Sequence, residues 1–124
     1  MKKILIVEDE RILAVSLKMD LEEVGYQEII LVTNCEDACK VVVDESPGLI
    51  LMDISIEGEK NGIETAQQIS FLSAVPVIYL TGETDVETRS KAEKTPNYKG
   101  YLTKPVKMEQ LEPLMFQVLS VHTI

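Results

Sequence analysis

Hydrophobic positions along this chain fall into two kinds of segment that alternate. Short apolar runs occur at Ile4–Val7, Ile29–Val32, Leu49–Met52, Val75–Leu80 and, more weakly, Tyr98–Leu102, and they are rich in Ile, Val, Leu and Tyr. None shows the apolar–polar alternation of a strand with one wet face, so each resembles a strand covered on both sides. Between them lie longer stretches with helical spacing. Leu13, Leu17, Leu21 and Val24 repeat at intervals of four, four and three, and Gly25 stands where a helix C-terminal cap is wanted. Asn34, Asn61 and Thr84 are candidate N-caps. Glu64 and Glu87 follow the last two by three residues, as in a capping box. The pattern is strand–helix repeated five times. Such a chain forms right-handed crossovers and a parallel sheet with helices on both faces. The expected architecture is α/β: one doubly wound domain over residues 1–124.

Two helices read poorly. From Thr84 to Lys94 only Val86 and Ala92 offer apolar anchors, so that helix is expected to be loosely held. The last, expected over about 107–119, contains Pro113, which removes a backbone donor and crowds the preceding turn. A kink or a late start is expected there.

Composition narrows the function classes. A net charge of -9 and a pI near 4.6 argue against a nucleic-acid or anionic-membrane surface, which needs clustered Lys and Arg. No apolar run approaches the roughly 18 residues of a membrane span, and a cytoplasmic protein is the default expectation. Cys35 and Cys39 could share a helical face as a redox pair or half a metal site, but two free thiols is the simpler reading. His122 has no ligand partner in the sequence and receives no role.

The polar residues collect at one place. In open parallel sheets, ligands bind beyond the carboxyl ends of the strands. Those ends carry Glu8 and Asp9 after the first strand, Asp53 after the third, Thr81 after the fourth, and Lys104 followed by Pro105 after the fifth. The first and third strands are natural neighbours where the winding reverses, so the three carboxylates should converge. At about 4 Å and an effective dielectric of 20, each pair repels by roughly 4 kcal/mol. A hard divalent cation removes that penalty, and an all-oxygen donor set suits Mg²⁺ or Mn²⁺ rather than zinc. Lys104 supplies a fixed positive charge on the other side and Thr81 a hydroxyl. Together they suit a phosphoryl group that becomes attached to a carboxylate. Acidic residues also cap strands and start helices, and Glu10 is read as doing only that.

With these residues in place, the chain resembles the receiver domain of two-component response regulators. The motifs are ILIVEDE, LILMDI, NGIETA, VPVIYLTG and GYLTKP, in this order and covering essentially the whole chain. The resemblance implies a flavodoxin-like (βα)₅ fold, strand order 2-1-3-4-5. It also implies phosphorylation of Asp53 by a sensor histidine kinase or a histidine phosphotransfer protein. Carried over by position, Asp9 ligates Mg²⁺ directly, Glu8 through water, and Ser55 through its backbone carbonyl. Lys104 pairs with the phosphoryl oxygens, Thr81 hydrogen-bonds one of them, Tyr101 turns inward as Thr81 moves, and the Lys104–Pro105 bond is cis. Such a domain is a phosphoacceptor rather than a turnover enzyme, acting on a downstream protein target.

Several positions depart from the family pattern. The loop DISIEGEKNG lacks the Met-Pro of many receivers and is one residue longer. Lys60 stands where apolar residues are common at kinase-docking surfaces, and Gly82 replaces the commoner Ala, opening the site to water. Ser55 and Glu83 occupy the positions that tune dephosphorylation in the family. Three other readings compete. A haloacid-dehalogenase-like phosphatase would need an aspartate at position 55, where Ser55 stands. A flavodoxin-like anion-binding module would be repelled by Glu8, Asp9 and Glu10. A receiver-like docking module that works without phosphorylation is the strongest rival.

Overall fold

The computed structural model describes residues 2–121; His122 lies outside the described residues. The elements follow in the order β1 (Ile4–Val7), α1 (Arg11–Glu23), β2 (Ile29–Val32), α2 (Cys35–Glu45), β3 (Leu49–Met52), α3 (Gly62–Ser70), β4 (Val77–Thr81), α4 (Val86–Glu93), β5 (Tyr98–Thr103) and α5 (Met108–Val121). The strands form one sheet in the order β2-β1-β3-β4-β5, every pair parallel. This is the doubly wound arrangement expected from the sequence.

The missing alternation in the strands has a direct cause. Successive side chains enter two separate cores, one on each face of the sheet. Leu5, Val7, Ile50, Met52, Val77 and Tyr79 pack with Ala38, Val42, Ala66, Ile69 and Ala92 of α2, α3 and α4. Ile4, Ile6, Leu49, Leu51, Ile78 and Leu80 pack with Leu21 of α1 and Leu111, Met115, Val118 and Leu119 of α5. Fully burying one such aliphatic side chain contributes about 1.5–3 kcal/mol, which is what holds the central strands rigid under the polar rim they carry.

Local signals hold in part. Asn61 and Glu64 form a complete capping box, and Asn34 accepts the Asp37 N–H. Gly25 has φ +112°, the left-handed conformation wanted just past α1. Four expectations need correction. The N-cap of α4 is Asp85 rather than Thr84: its carboxylate takes both the Thr88 N–H at 3.0 Å and the Thr88 hydroxyl at 2.7 Å. A charged acceptor makes the stronger bond, and these bonds also lower the Asp85 pKa. The fourth strand begins at Val77, because Pro76 has no N–H and only its carbonyl joins the ladder, accepting from Ile50. In α1 the core stripe is Ala14, Leu17 and Leu21, while Leu13 and Val24 are exposed. The last helix starts at Met108 and runs through Pro113 without a break. Pro113 and Glu109, whose carbonyl would have received the missing N–H, both lie on the exposed side, where water serves in place of the lost donor. The thin anchoring of α4 is as expected: Ala92 is its buried residue and Val86 is exposed.

Candidate functional site

Strand register builds the site. Val7 pairs with Met52 across β1 and β3, so the next residues, Glu8 and Asp53, emerge side by side at the carboxyl edge. Backbone bonds fix both: the Asp53 N–H donates to Val7 O at 2.9 Å, and the Glu8 N–H to Val32 O at 3.0 Å. On the far side Thr81 pairs with Thr103, and the Lys104 N–H donates to Thr81 O at 2.8 Å. Lys104 is thereby carried back over the middle of the sheet. Its bond to Pro105 is cis.

The lysine is placed differently from the sequence expectation. Instead of facing the acids from across the site, it stands between two of them. Its Nζ lies 2.6 Å from Glu8 Oε1 and 2.9 Å from Asp53 Oδ2. Burial works against the ammonium, but the hydrogen bonds it donates to Glu8 and Asp53 outweigh that and raise the Lys104 pKa. Glu8 is also raised. Burial is the main cause, opposed by Lys104 and by the Glu10 N–H, which donates to Glu8 Oε2 at 3.1 Å. Glu8 and Asp53 are 7% and 5% exposed, so neither relies on bulk water for its charge compensation. Glu10 is the N-cap of α1, but no side-chain bond caps the helix there.

Asp9 is exposed and completes the acidic set. One carboxylate oxygen from each of Glu8, Asp9 and Asp53 lies within 4.8 Å of the others. Three carboxylates and one ammonium leave two uncompensated negative charges. An all-oxygen site with that residual charge fits a hard divalent cation. Ser55 sits at the exposed rim, its N–H donating to Asp53 Oδ1 at 3.3 Å.

A second set of contacts runs from this rim toward α4. Thr81 is fully buried, and its Oγ1 accepts the Glu83 N–H at 3.3 Å. Tyr101 is 7% exposed, turned inward, with its hydroxyl donating to Glu83 O at 2.7 Å. Ser55 Oγ donates to Glu83 Oε1 at 3.2 Å. Glu83 therefore ties together the threonine, the tyrosine and the rim serine. The Arg89 guanidinium lies 5.2 Å from the Tyr101 ring centroid, giving α4 a cation–π hold on that ring.

Two of these residues escape sequence reasoning. Arg89 reads as an ordinary helix-surface charge, because its stacking depends on where β5 lies. Gly62 reads as part of a helix start, whereas in the fold it is pressed against the acceptor strand's exit. A Cβ built there would lie 2.1 Å from Asp53 O and 2.8 Å from Ile54 Cα. The sequence offers only a glycine directly after the N-cap Asn61; that its φ is not positive, so that close approach and not flexibility is the reason for it, is seen in the fold alone.

Beside the rim a cleft of about 450 Å³ is walled by Leu13, Leu17, Pro105 and Val106 and reaches Glu8 and Lys104. Among the described residues no helix is long and apolar enough to cross a membrane.

Comparison with known proteins agrees with this geometry. A family model for the response regulator receiver domain matches residues 4–115. Protein PilH of Pseudomonas aeruginosa is 35% identical over 123 residues, covering 97% of this chain and 99% of PilH. The transcriptional regulatory protein CrdR of Helicobacter pylori is 34% identical over 113 residues, 90% of this chain and 52% of CrdR, so the chain spans about half the length of that relative. The crystal structure of the signal receiver domain of a modulated diguanylate cyclase from Desulfovibrio desulfuricans superposes with a TM-score of 0.88 at 34% identity, covering 97% of this chain and 94% of that one. With the sheet order, the acidic rim and the matched span in agreement, the chain belongs to the response regulator receiver domain family of two-component signalling.

Proposed function

We propose that this receiver is a phosphorylation-dependent switch that accepts a phosphoryl group on Asp53 from a sensor histidine kinase or a histidine phosphotransfer protein. The observation that carries this reading is Lys104 Nζ held within 3 Å of both Asp53 and Glu8, at the edge of an acidic set with a residual charge of two. Glu8, Asp9, Asp53 and the backbone carbonyl of Ser55 would hold Mg²⁺, or Mn²⁺ in its place. When bound, such an ion neutralises charge on the transferring oxygens.

The chain's own residues divide the remaining work. Asp53 Oδ, fixed by its strand and by the Ser55 N–H, would attack phosphorus as the donor histidine's P–N bond breaks and the imidazole leaves with the electron pair. Lys104 meets the phosphoryl oxygens from its position beside Asp53, exchanging its bond to that carboxylate for bonds to them. Protein catalysis of phosphoryl transfer is mostly positioning and electrostatics, and both are built into the rim. Thr81 then turns its hydroxyl toward the phosphoryl group, giving up Glu83, and the shift passes through Glu83 to Tyr101 and α4. A helix with one buried anchor is inexpensive to move, so α4 and the Glu83 loop are the two-state element. The output is altered affinity for a downstream protein target.

Incubation with acetyl phosphate and Mg²⁺, followed by intact-protein mass, tests the proposal. One added phosphoryl group is expected, lost in Asp53→Asn. No mass gain with metal present favours the docking module that works without phosphorylation.

A further inference from the structure

One corner of the chain supports two sides of the acidic rim. Glu8 is held from the end of β2, its N–H donating to Val32 O at 3.0 Å. The next residue, Thr33, donates its hydroxyl to the Glu57 carboxylate, a contact between segments 24 residues apart in sequence. Asn34, the N-cap of α2, meets Glu57 again through a single parallel backbone bridge. Residues 32–34 therefore hold both the strand end that delivers Glu8 and the loop that leaves Ser55. We propose that Glu57 is a positioning residue for the divalent cation: by clamping the β3–α3 loop to this corner, it keeps the Ser55 carbonyl in register with Glu8, Asp9 and Asp53. The inference rests on the cation reading of the rim given above and adds a residue outside the ligand set.

A backbone carbonyl has no rotamer with which to find an ion, so its direction is set by how the flanking residues are held. Upstream of Ser55 the chain is fixed: Ile54 is buried, and its carbonyl accepts the Gly62 N–H at 2.7 Å. Downstream, Ile56 packs half-buried against the core, and Glu57 makes the next contacts before the loop turns through exposed Gly58 and Glu59. Mg²⁺ demands near-ideal octahedral geometry, so a carbonyl that drifts with its loop is a poor ligand for it.

The clamp is also more than one exposed bond. Asn34 Nδ2 donates to Thr33 Oγ1 at 3.2 Å, Thr33 Oγ1 donates to Glu57, and Asn34 Oδ1 accepts the Asp37 N–H at 2.9 Å. Hydrogen bonds in such a chain polarise one another, and this one ends on the first turn of α2. A solvated loop acid would make neither the hydroxyl contact nor the backbone bridge. Glu57 stands outside the cluster of Glu8, Asp9 and Asp53, so it acts on the ion through Ser55.

Manganese titration of the full chain, with free Mn²⁺ counted by electron paramagnetic resonance, tests the proposal. The parent should take up one tightly held ion. Thr33→Val and Glu57→Ala should each raise the dissociation constant roughly tenfold, the lower end of the range for residues that support metal ligands. The double variant should be no worse than either single one, because both remove the same bond. Thr33→Ser keeps a hydroxyl donor and Glu57→Gln keeps an acceptor oxygen, so both should hold the parent's affinity. Should one truncation fail to fold, the other reads the same bond. Unaltered affinity in both truncations, strictly additive losses, or Glu57→Gln as weak as Glu57→Ala beside a harmless Thr33→Val would each overturn the clamp. The last pattern would assign the effect to charge alone. A parent that takes up no Mn²⁺ would instead overturn the cation reading itself, and the clamp with it.

Discussion

Replacing Gly62 by Ala gives the sharpest test of how the fold holds the acceptor aspartate. In an exposed first turn this change would be mildly favourable, since alanine loses less backbone entropy than glycine by about 0.5–1 kcal/mol. Here the new Cβ would lie 2.1 Å from Asp53 O, against 3.4 Å or more for ordinary contact, so about 1.3 Å must be found. The obstacle is backbone, with Asp53 C and Ile54 Cα each at 2.8 Å, and no flexible side chain can yield. The Gly62 N–H also donates to Ile54 O at 2.7 Å, which holds the two segments together. Overpacking against rigid structure costs about 3 kcal/mol at the upper end of its usual range. At about 4 °C per kcal/mol for a domain of this size, Gly62→Ala should melt about 10–15 °C below the parent. The surviving folded protein should accept phosphate roughly 10²-fold more slowly, because its nucleophile is misplaced by about 1 Å. Gly82→Ala is the matched control: a Cβ there meets nothing within 4 Å, and melting should change little. Thermal denaturation by circular dichroism, paired with acetyl phosphate labelling, reads both effects. Equal melting of the two variants would refute the close approach, and a lowered melt with undiminished labelling would refute its link to the acceptor.

The remaining predictions concern the rim, the buried tyrosine and the hold on Tyr101. Mg²⁺ at ten times its dissociation constant should stabilise the fold by about 1.4 kcal/mol. Asp9→Asn should weaken that gain, and a melting curve indifferent to Mg²⁺ would contradict the charge argument. Burial pushes the Tyr79 phenol up to about 12, and the hydrogen bond between its hydroxyl and Thr95 Oγ1 partly offsets this. The sign follows from the neutral form being favoured in the fold. Stability from this group is complete below pH 10 and is lost as pH rises toward 12, by roughly 3 kcal/mol. Urea unfolding at pH 9 and pH 11.5 should therefore show a smaller loss in Tyr79→Phe than in the parent, and equal losses would remove Tyr79 as the cause. Tyr101→Phe deletes the bond to Glu83 O and should cost about 1 kcal/mol. Arg89→Ala should cost about 0.5–1 kcal/mol only while Tyr101 is present, so a double-mutant cycle showing no coupling would discard the stacking.

The sequence alone determined the architecture because the signals for it are local. Apolar runs without alternation require covers on both faces, and intervening helical periods with Asn caps supply them. The acidic and basic rim was equally legible, since strand ends in a parallel sheet share one edge whatever their distance in sequence. Tertiary structure decided what depends on distances between such ends. It placed the Lys104 ammonium between Glu8 and Asp53, because β5 returns Lys104 over the sheet's centre. It gave the cap of α4 to Asp85, rolled α1 onto Ala14 instead of Leu13, and let α5 pass through Pro113 on its wet side. It also set the Gly62 backbone against Asp53 and the Arg89 guanidinium over Tyr101. Each of these is a packing choice between elements whose individual sequences permit several, and only the assembled sheet selects one.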